Sequence, residues 1–92
     1  MRFKLENFEY EVIKNEKEGF DLEELKNKYS DFFEVYDYIV GDWAYGKLRL
    51  KGFNKKNNKH FNKINDYNKV DEYIKNSCAY ECRYFIIEKI VE

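Results

Sequence analysis

The sequence has no long apolar run, no excess charge of one sign and no apolar leader. Its apolar stretches fall well short of the roughly 20 residues that span a bilayer, so no membrane-spanning helix is predicted. The formal net charge is −1, so the chain as a whole favours neither nucleic acid nor a membrane surface. The segment Met1–Lys4 leads straight into alternating polar and apolar residues and lacks the core of a signal peptide. We therefore expect a cytoplasmic protein with reduced cysteines.

The sequence also lacks the common signatures of catalysis and metal binding. It contains no glycine-rich phosphate loop and no serine in a nucleophile-elbow pattern. Cys78 and Cys82 do not fit Cys-x-x-Cys, and with His60 they form an incomplete zinc set, so we expect two buried thiols. An enzyme would need Asp37, Asp42, His60 or a cysteine to converge in a pocket. We expect no enzyme, no metal and no cofactor.

What the sequence does contain is a set of amphipathic segments sized for one domain, residues 1–92. The alternation in Phe8–Ile13 predicts a first strand, with Phe3 and Leu5 extending it or forming a short partner. Asp21 and Glu24 form a capping box that predicts the start of a first helix. The apolar stripe of that helix consists of Leu22, Leu25, Tyr29 and Phe32.

The second half of the sequence predicts three more strands and one more helix. In chain order we expect a strand at Tyr36–Val40, a turn at Gly41–Gly46, a strand at Lys47–Lys51, a mobile polar loop at 54–63, a helix capped by Asn65 or Asp66 and a strand at Arg83–Val91. The last strand is nearly continuous in apolar residues around Phe85–Ile87 and should be central. The order β-α-β-β-α-β predicts an α+β fold with an antiparallel sheet of four to five strands. The best match is the ferredoxin-like topology, with both helices on one side.

The charges are distributed very unevenly along the chain. Residues 43–65 hold seven bases and no acid, whereas residues 1–42 hold twelve acids and six bases. The bases of the middle block are Lys47, Arg49, Lys51, Lys55, Lys56, Lys59 and Lys63. This basic block covers the third predicted strand and the loop after it.

Two interpretations of the basic block remain open. In the first, Tyr45, Lys47, Arg49, Lys51 and Phe53 share one open sheet face and bind RNA or a ribonucleoprotein. The rings would stack on bases, and the cations, joined by Lys55 and Lys56, would contact phosphates. In the second, a ferredoxin-like sheet brings Glu9 and Glu11 beside these cations as a charge ladder that only solvates the face.

The aromatic residues of the predicted turn also allow two roles. Trp43 and Tyr45 either fold back over the core or present their rings to a partner protein, since aromatic side chains anchor interfaces. The second role would make the chain a protein-interaction domain, with a homodimer as one form.

The stretch Tyr36–Phe53, YDYIVGDWAYGKLRLKGF, resembles the signature of the YutD-like family of small domains from Firmicutes and Mollicutes. A second stretch, Cys78-x-x-x-Cys82-x-Tyr84-Phe85, resembles the family's later motif, and the resemblance covers nearly the whole chain. Ala44 and Glu81 stand where the family more often has glycine. The resemblance implies a cytoplasmic bacterial protein and supplies no catalytic residue, because the family has no known activity.

Overall fold

The computed structural model describes residues 1–77 and 82–91. Its elements are β1 Arg2–Leu5, β2 Phe8–Glu16, α1 Leu22–Lys28, a 3₁₀ helix Asp31–Val35, β3 Tyr38–Ala44, β4 Lys47–Phe53, a 3₁₀ helix Tyr67–Lys69, α2 Val70–Ser77 and β5 Tyr84–Lys89. The residues before Phe8 form a short partner strand, β1, one of the two expected alternatives. No helix within the described residues is long and apolar enough to cross a bilayer.

The five strands form one antiparallel sheet in the order β1-β2-β5-β3-β4. This confirms the α+β class and the antiparallel sheet with two helices. The ferredoxin-like topology is wrong, because β5 and β3 separate β2 from β4. β5 is central, as predicted, since Phe85, Ile86 and Ile87 are all buried on its two faces, and a strand that is apolar on both faces needs cover on each.

The two helices cover opposite faces of the sheet. Leu25 of α1 packs in one buried cluster with Ile87, whereas Val70 of α2 packs in a second cluster with Ile86. Neighbouring residues of a strand point to opposite faces, so the two clusters lie on the two sides of β5. The prediction of both helices on one side is therefore wrong, and the basic face of β4 lies under α2.

Helix α1 begins as predicted but ends one turn early. The Asp21 side chain accepts a hydrogen bond from the Glu24 backbone N–H at 3.1 Å, as an N-cap does. The backbone is extended at Tyr29 and Ser30, which ends the helix before Phe32. Phe32 therefore lies in the 3₁₀ helix, with 66% of its surface exposed, and not on the buried stripe.

The β3–β4 hairpin has a shorter turn than predicted. Only Tyr45 and Gly46 form it, with φ of 53° and 74°, the left-handed pair that a type I′ turn requires. Gly41 consequently lies inside β3, where a Cβ atom would fall 2.2 Å from the Phe85 ring. The close approach of that ring, not a turn, explains the glycine.

The polar loop 54–63, predicted to be mobile, is held by asparagine side chains. The side-chain oxygen Oδ1 of Asn62 accepts hydrogen bonds from the backbone N–H groups of Ile64 at 2.9 Å and Asn65 at 3.0 Å. The Asn65 amide in turn donates to the His60 carbonyl at 3.0 Å. Such side-chain bonds to nearby backbone groups order loops without regular structure. They fix the position of Ile64 beside β4.

The predictions for Cys78 and Cys82 fall partly outside the described residues, because Cys78 is not among them. Cys82 is half-buried just before β5 and is disulfide-bonded. The expectation of a reduced thiol is therefore wrong for Cys82.

Two buried tyrosines should make the protein lose stability at alkaline pH. The hydroxyls of Tyr10 and Tyr29 are hydrogen-bonded at 2.8 Å, and burial raises the pKa of both. Above pH 10 the unfolded chain loses these protons while the folded chain keeps them. The free energy of unfolding should then fall by up to about 1.4 kcal/mol per pH unit for each retained proton. Urea titrations between about pH 8 and 11 should show the fall. Tyr10→Phe should make it shallower, and an unchanged slope would contradict the assignment.

Candidate interaction surface

The alternation of β4 is as predicted, but its basic face is only partly open. Lys47 and Arg49 are exposed and Leu48 is buried between them. Towards the end of the strand, Phe53 is only 1% exposed and packs in the cluster that contains Val70 of α2. The ring of Phe53 therefore has no free face, and its predicted role in stacking on a base is wrong.

Arg49 is bound to the buried carboxylate of Asp42. The two residues lie opposite each other in the β3–β4 register, and the guanidinium donates to Asp42 Oδ2 and to the Ser77 carbonyl, the latter at 2.9 Å. The hydrogen bond to Asp42 and the carboxylate charge raise the pKa of Arg49. Asp42 is 2% exposed, so this pair neutralises the centre of the basic strand from within the hairpin.

The predicted charge ladder with Glu9 and Glu11 is wrong. Both lie on β2, which β5 and β3 separate from β4, and Glu11 pairs with Arg2 at 3.4 Å. Within the described residues, the carboxylates that form ion pairs with the basic block are those of Asp42 and Glu88.

The other predicted cations differ in whether they already contact a carboxylate or an aromatic ring. The Lys51 ammonium lies over the rings of Phe53 and Tyr73, 5.2 Å and 5.7 Å from their centroids. Lys55 pairs with Glu88 at 3.5 Å. Lys47 and Lys56 are exposed, and within the described residues neither has an ion pair or a ring contact.

Trp43 takes the core role and Tyr45 the exposed one. Trp43 packs against the α1-side cluster, and its indole N–H donates to the Gly19 carbonyl at 2.7 Å. The Arg83 guanidinium covers the ring at 4.7 Å from its centroid. Both the ring and the N–H group of Trp43 therefore already have partners within the fold. The hypothesis that Trp43 anchors a partner protein is not supported. The Tyr45 ring is fully exposed at the tip of the hairpin.

The structure does not bring the predicted polar candidates into one site. Asp37 accepts a hydrogen bond from the Lys55 backbone N–H at 2.9 Å, a loop-fixing role, whereas Asp42 pairs with Arg49 at the other end of β3. His60 lies exposed in the loop. Among the described residues no three histidine, cysteine, aspartate or glutamate side chains cluster as a metal site would require.

An apolar groove that the sequence did not reveal lies beside β4. Phe32 and Ile64, 66% and 77% exposed, line a groove of about 290 Å³ with Leu50 of β4. One signal was available, because Ile64 is an isolated aliphatic residue in a polar segment. The break of α1 at Ser30, which turns Phe32 outward, had no such signal.

β4 is an edge strand, and none of the described strands lies on its outer side. Beyond its end, Asn54 donates to the Asn65 carbonyl at 2.6 Å and accepts from the Tyr67 N–H at 3.0 Å, so its backbone groups point away from β3. These groups alternate in direction along a strand, so those of Leu48 and Leu50 point outward too. Neither has a backbone partner there within the described chain. We call Lys47–Lys51, with Phe32 and Ile64, the β4 edge surface.

Comparison with known proteins places the whole chain in one family. The family described as "Putative antitoxin YutD-like" matches residues 4–88. The chain belongs to the YutD-like family. A curated relative, "Putative antitoxin YutD" of Bacillus subtilis (strain 168), is 44% identical over 86 residues, which is 94% of each protein. The solution NMR structure of protein YutD from B. subtilis matches with a TM-score of 0.83 at 41% identity, covering 100% of this chain and 84% of that one.

The structural match extends through the candidate surface of this YutD-like domain. Because it covers 100% of the chain, β4, the 3₁₀ helix before β3 and the segment around Ile64 all lie inside it. The β4 edge surface is therefore part of the shared domain and not an addition to it.

Proposed function

We propose that this YutD-like chain is a non-enzymatic binding module that captures a partner protein at the β4 edge surface. The observation that carries the proposal is the unpaired outer side of β4 next to exposed Phe32 and Ile64. An edge strand offers backbone donors and acceptors to another chain, and exposed apolar side chains beside it supply area that a partner can bury. Both features suit association with another protein chain, and neither depends on a catalytic group.

The name of the B. subtilis relative supports a partner of this kind. That protein is called a putative antitoxin, and an antitoxin acts on a toxin. The chain is 44% identical to that relative over 86 residues, so we extend the same role to it: binding a protein target.

RNA is the less favoured partner because most of the residues that would bind it are buried or already contact other side chains of the fold. Phe53 is buried, Arg49 is paired with Asp42, and Lys55 is paired with Glu88. Of the proposed RNA-binding set, Tyr45, Lys47 and Lys56 are exposed and have no ion pair within the described residues. Few phosphate contacts would leave only a shallow dependence of affinity on salt.

Two matched variants test the proposal by affinity capture from a lysate of the source bacterium. Ile64 and Val91 are exposed to 77% and 76%, and only Ile64 lies on the β4 edge surface. Ile64→Glu should reduce the amount of the main captured protein about tenfold, since a charge must then be buried at the interface. Val91→Glu should leave it unchanged.

The proposal fails if both variants capture the same proteins in the same amounts as the native chain. It also fails if RNA is the main recovered species and its retention falls steeply with salt, because that behaviour is the mark of phosphate contacts. Far-ultraviolet circular dichroism of both variants checks that the fold is kept.

A further inference from the structure

Resting on the proposed function, we propose that the β4 edge surface receives an extended segment of the partner as a sixth strand. We further propose that this segment carries acidic side chains opposite Lys47 and Lys51, with apolar side chains between them. Strand addition of this kind combines backbone hydrogen bonds with pockets for alternate side chains. The backbone of β4, the charge on one of its faces and the groove on the other each specify part of the segment.

The backbone of β4 sets the length of the segment. The outward N–H and C=O groups of Leu48 and Leu50 lack partners within the described residues. Beyond Gly52 the edge is closed by the contacts of Asn54 with Asn65 and Tyr67. The open part is therefore Lys47–Lys51, which a segment of about five residues covers at roughly 3.3 Å per residue.

The charge of β4 argues against a second copy of this chain as the added strand. If two β4 strands paired edge to edge, the alternating cations of one would face those of the other. Like charges directly opposite each other on paired strands are destabilising, and lysines on edge strands are a common device against such pairing. The occupant is thus a different sequence.

The same charge favours acidic side chains on the added strand. Lys47, Arg49 and Lys51 point to one face, but only Arg49 has a carboxylate partner within the described residues. Lys51 lies in a groove that one further base, Lys69, and one acid, Glu72, also line, so the formal charges of these two side chains sum to zero. Within the described part of the chain, Lys47 and Lys51 therefore lack a carboxylate partner and lie four residues apart. Two carboxylates at the same spacing on the added strand would complement them.

The other face of the added strand must be apolar. Leu50 lines the groove of about 290 Å³ with Phe32 and Ile64, and Lys51 lines the same groove. The exposed apolar side chains of the groove suit aliphatic side chains on this side of the added strand. The pattern is acidic–apolar–any–apolar–acidic. It is the same in both chain directions, so it fits a parallel or an antiparallel strand.

A pair of short peptides tests the pattern on the intact protein. The probe is acetyl-Thr-Glu-Val-Thr-Val-Glu-Thr-amide, and its control replaces both glutamates with lysine. Isothermal titration calorimetry at about physiological salt should give a Kd about tenfold lower for the acidic peptide. On binding, the outward amides of Leu48 and Leu50 should exchange with solvent about tenfold more slowly by NMR, because they become hydrogen-bonded.

Two charge-reversal variants test whether the acidic peptide binds along β4. Lys47→Glu should weaken the acidic peptide about tenfold, since it sets like charges opposite each other. Lys56→Glu makes the same change in net charge outside β4 and should have little effect. Equal losses in both variants, or no slowing of the Leu48 and Leu50 amides, would overturn the inference.

The outcome separates this inference from the proposed function. If the acidic peptide does not bind at about 1 mM while Ile64→Glu still reduces capture of the partner about tenfold, the strand pattern is wrong and the binding module stands. If the acidic peptide does not bind and Ile64→Glu does not reduce capture, both the inference and the proposed function are wrong. If the protein self-associates through β4 instead, sedimentation will show a dimer that Lys47→Glu alters, and the inference is wrong.

Discussion

Replacing Phe85 with alanine is expected to lower the free energy of unfolding by about 3–5 kcal/mol. The ring is fully buried in the central strand and meets the Phe20 ring edge-on, with 5.3 Å between centroids. It also occupies the space above Gly41. β5 is hydrogen-bonded to strands on both sides, so the backbone has little freedom to close the cavity. The loss is a large share of the about 5–15 kcal/mol that holds a domain together.

Urea unfolding followed by circular dichroism measures the effect, with Phe32→Ala as the matched control. Phe32 is the same residue type but 66% exposed, so its removal should cost less than about 1 kcal/mol. Equal losses in the two variants would show that the burial of Phe85 is wrongly assigned.

The close fit of Phe85 against Gly41 adds a second test to this prediction. A Cβ at Gly41 would lie 2.2 Å from the Phe85 ring, so Gly41→Ala should destabilise the native chain. In a Phe85→Leu background the same change should cost less, because the smaller side chain leaves room for the methyl group. Additive losses would contradict direct contact between the two positions.

Local features of the fold were predictable because they depend on neighbouring residues. The Asp21 cap, the alternation of β4 and the apolar run of β5 each follow from a few consecutive side chains. Strand order depends on which distant strands pair, and β-α-β-β-α-β does not decide that. The ferredoxin-like prediction therefore failed, and the charge ladder of Glu9 and Glu11 failed with it.

The ion pair of the candidate site was missed because the predicted turn began four residues too early. A turn over Gly41–Gly46 removes Asp42 from the strand and leaves Arg49 without a visible partner. With the turn confined to Tyr45 and Gly46, counting back along the hairpin places Asp42 directly opposite Arg49. The apolar groove was harder to foresee, because it needs Phe32 and Ile64 brought together from distant segments.

Replacing Arg49 with methionine is expected to lower the free energy of unfolding by about 2–3 kcal/mol. Removing one partner of a buried pair leaves the other charge uncompensated, which costs about 3–5 kcal/mol when both are buried. Asp42 is 2% exposed but the Arg49 side chain is 48% exposed, so water lessens the loss. Asp42 Oδ1 already lacks a hydrogen-bond partner among the described residues, and the variant would leave both carboxylate oxygens without one.

Two further variants separate the ion pair from other effects of the substitution. Lys47→Met removes a cation two residues away on the same face and should change stability by no more than about 0.5 kcal/mol. Asp42→Leu combined with Arg49→Met removes both charges and should recover most of the loss, because apolar replacement of a buried pair is often neutral. Urea unfolding of the native chain, the two single variants and the double variant measures these differences in stability. If the double variant is as unstable as Arg49→Met alone, the loss arises from packing of the arginine stem, and the pair has no role in holding the hairpin. Recovery would show that Asp42 and Arg49 act as one unit, which leaves Lys47 and Lys51 as the charges that β4 offers to a partner.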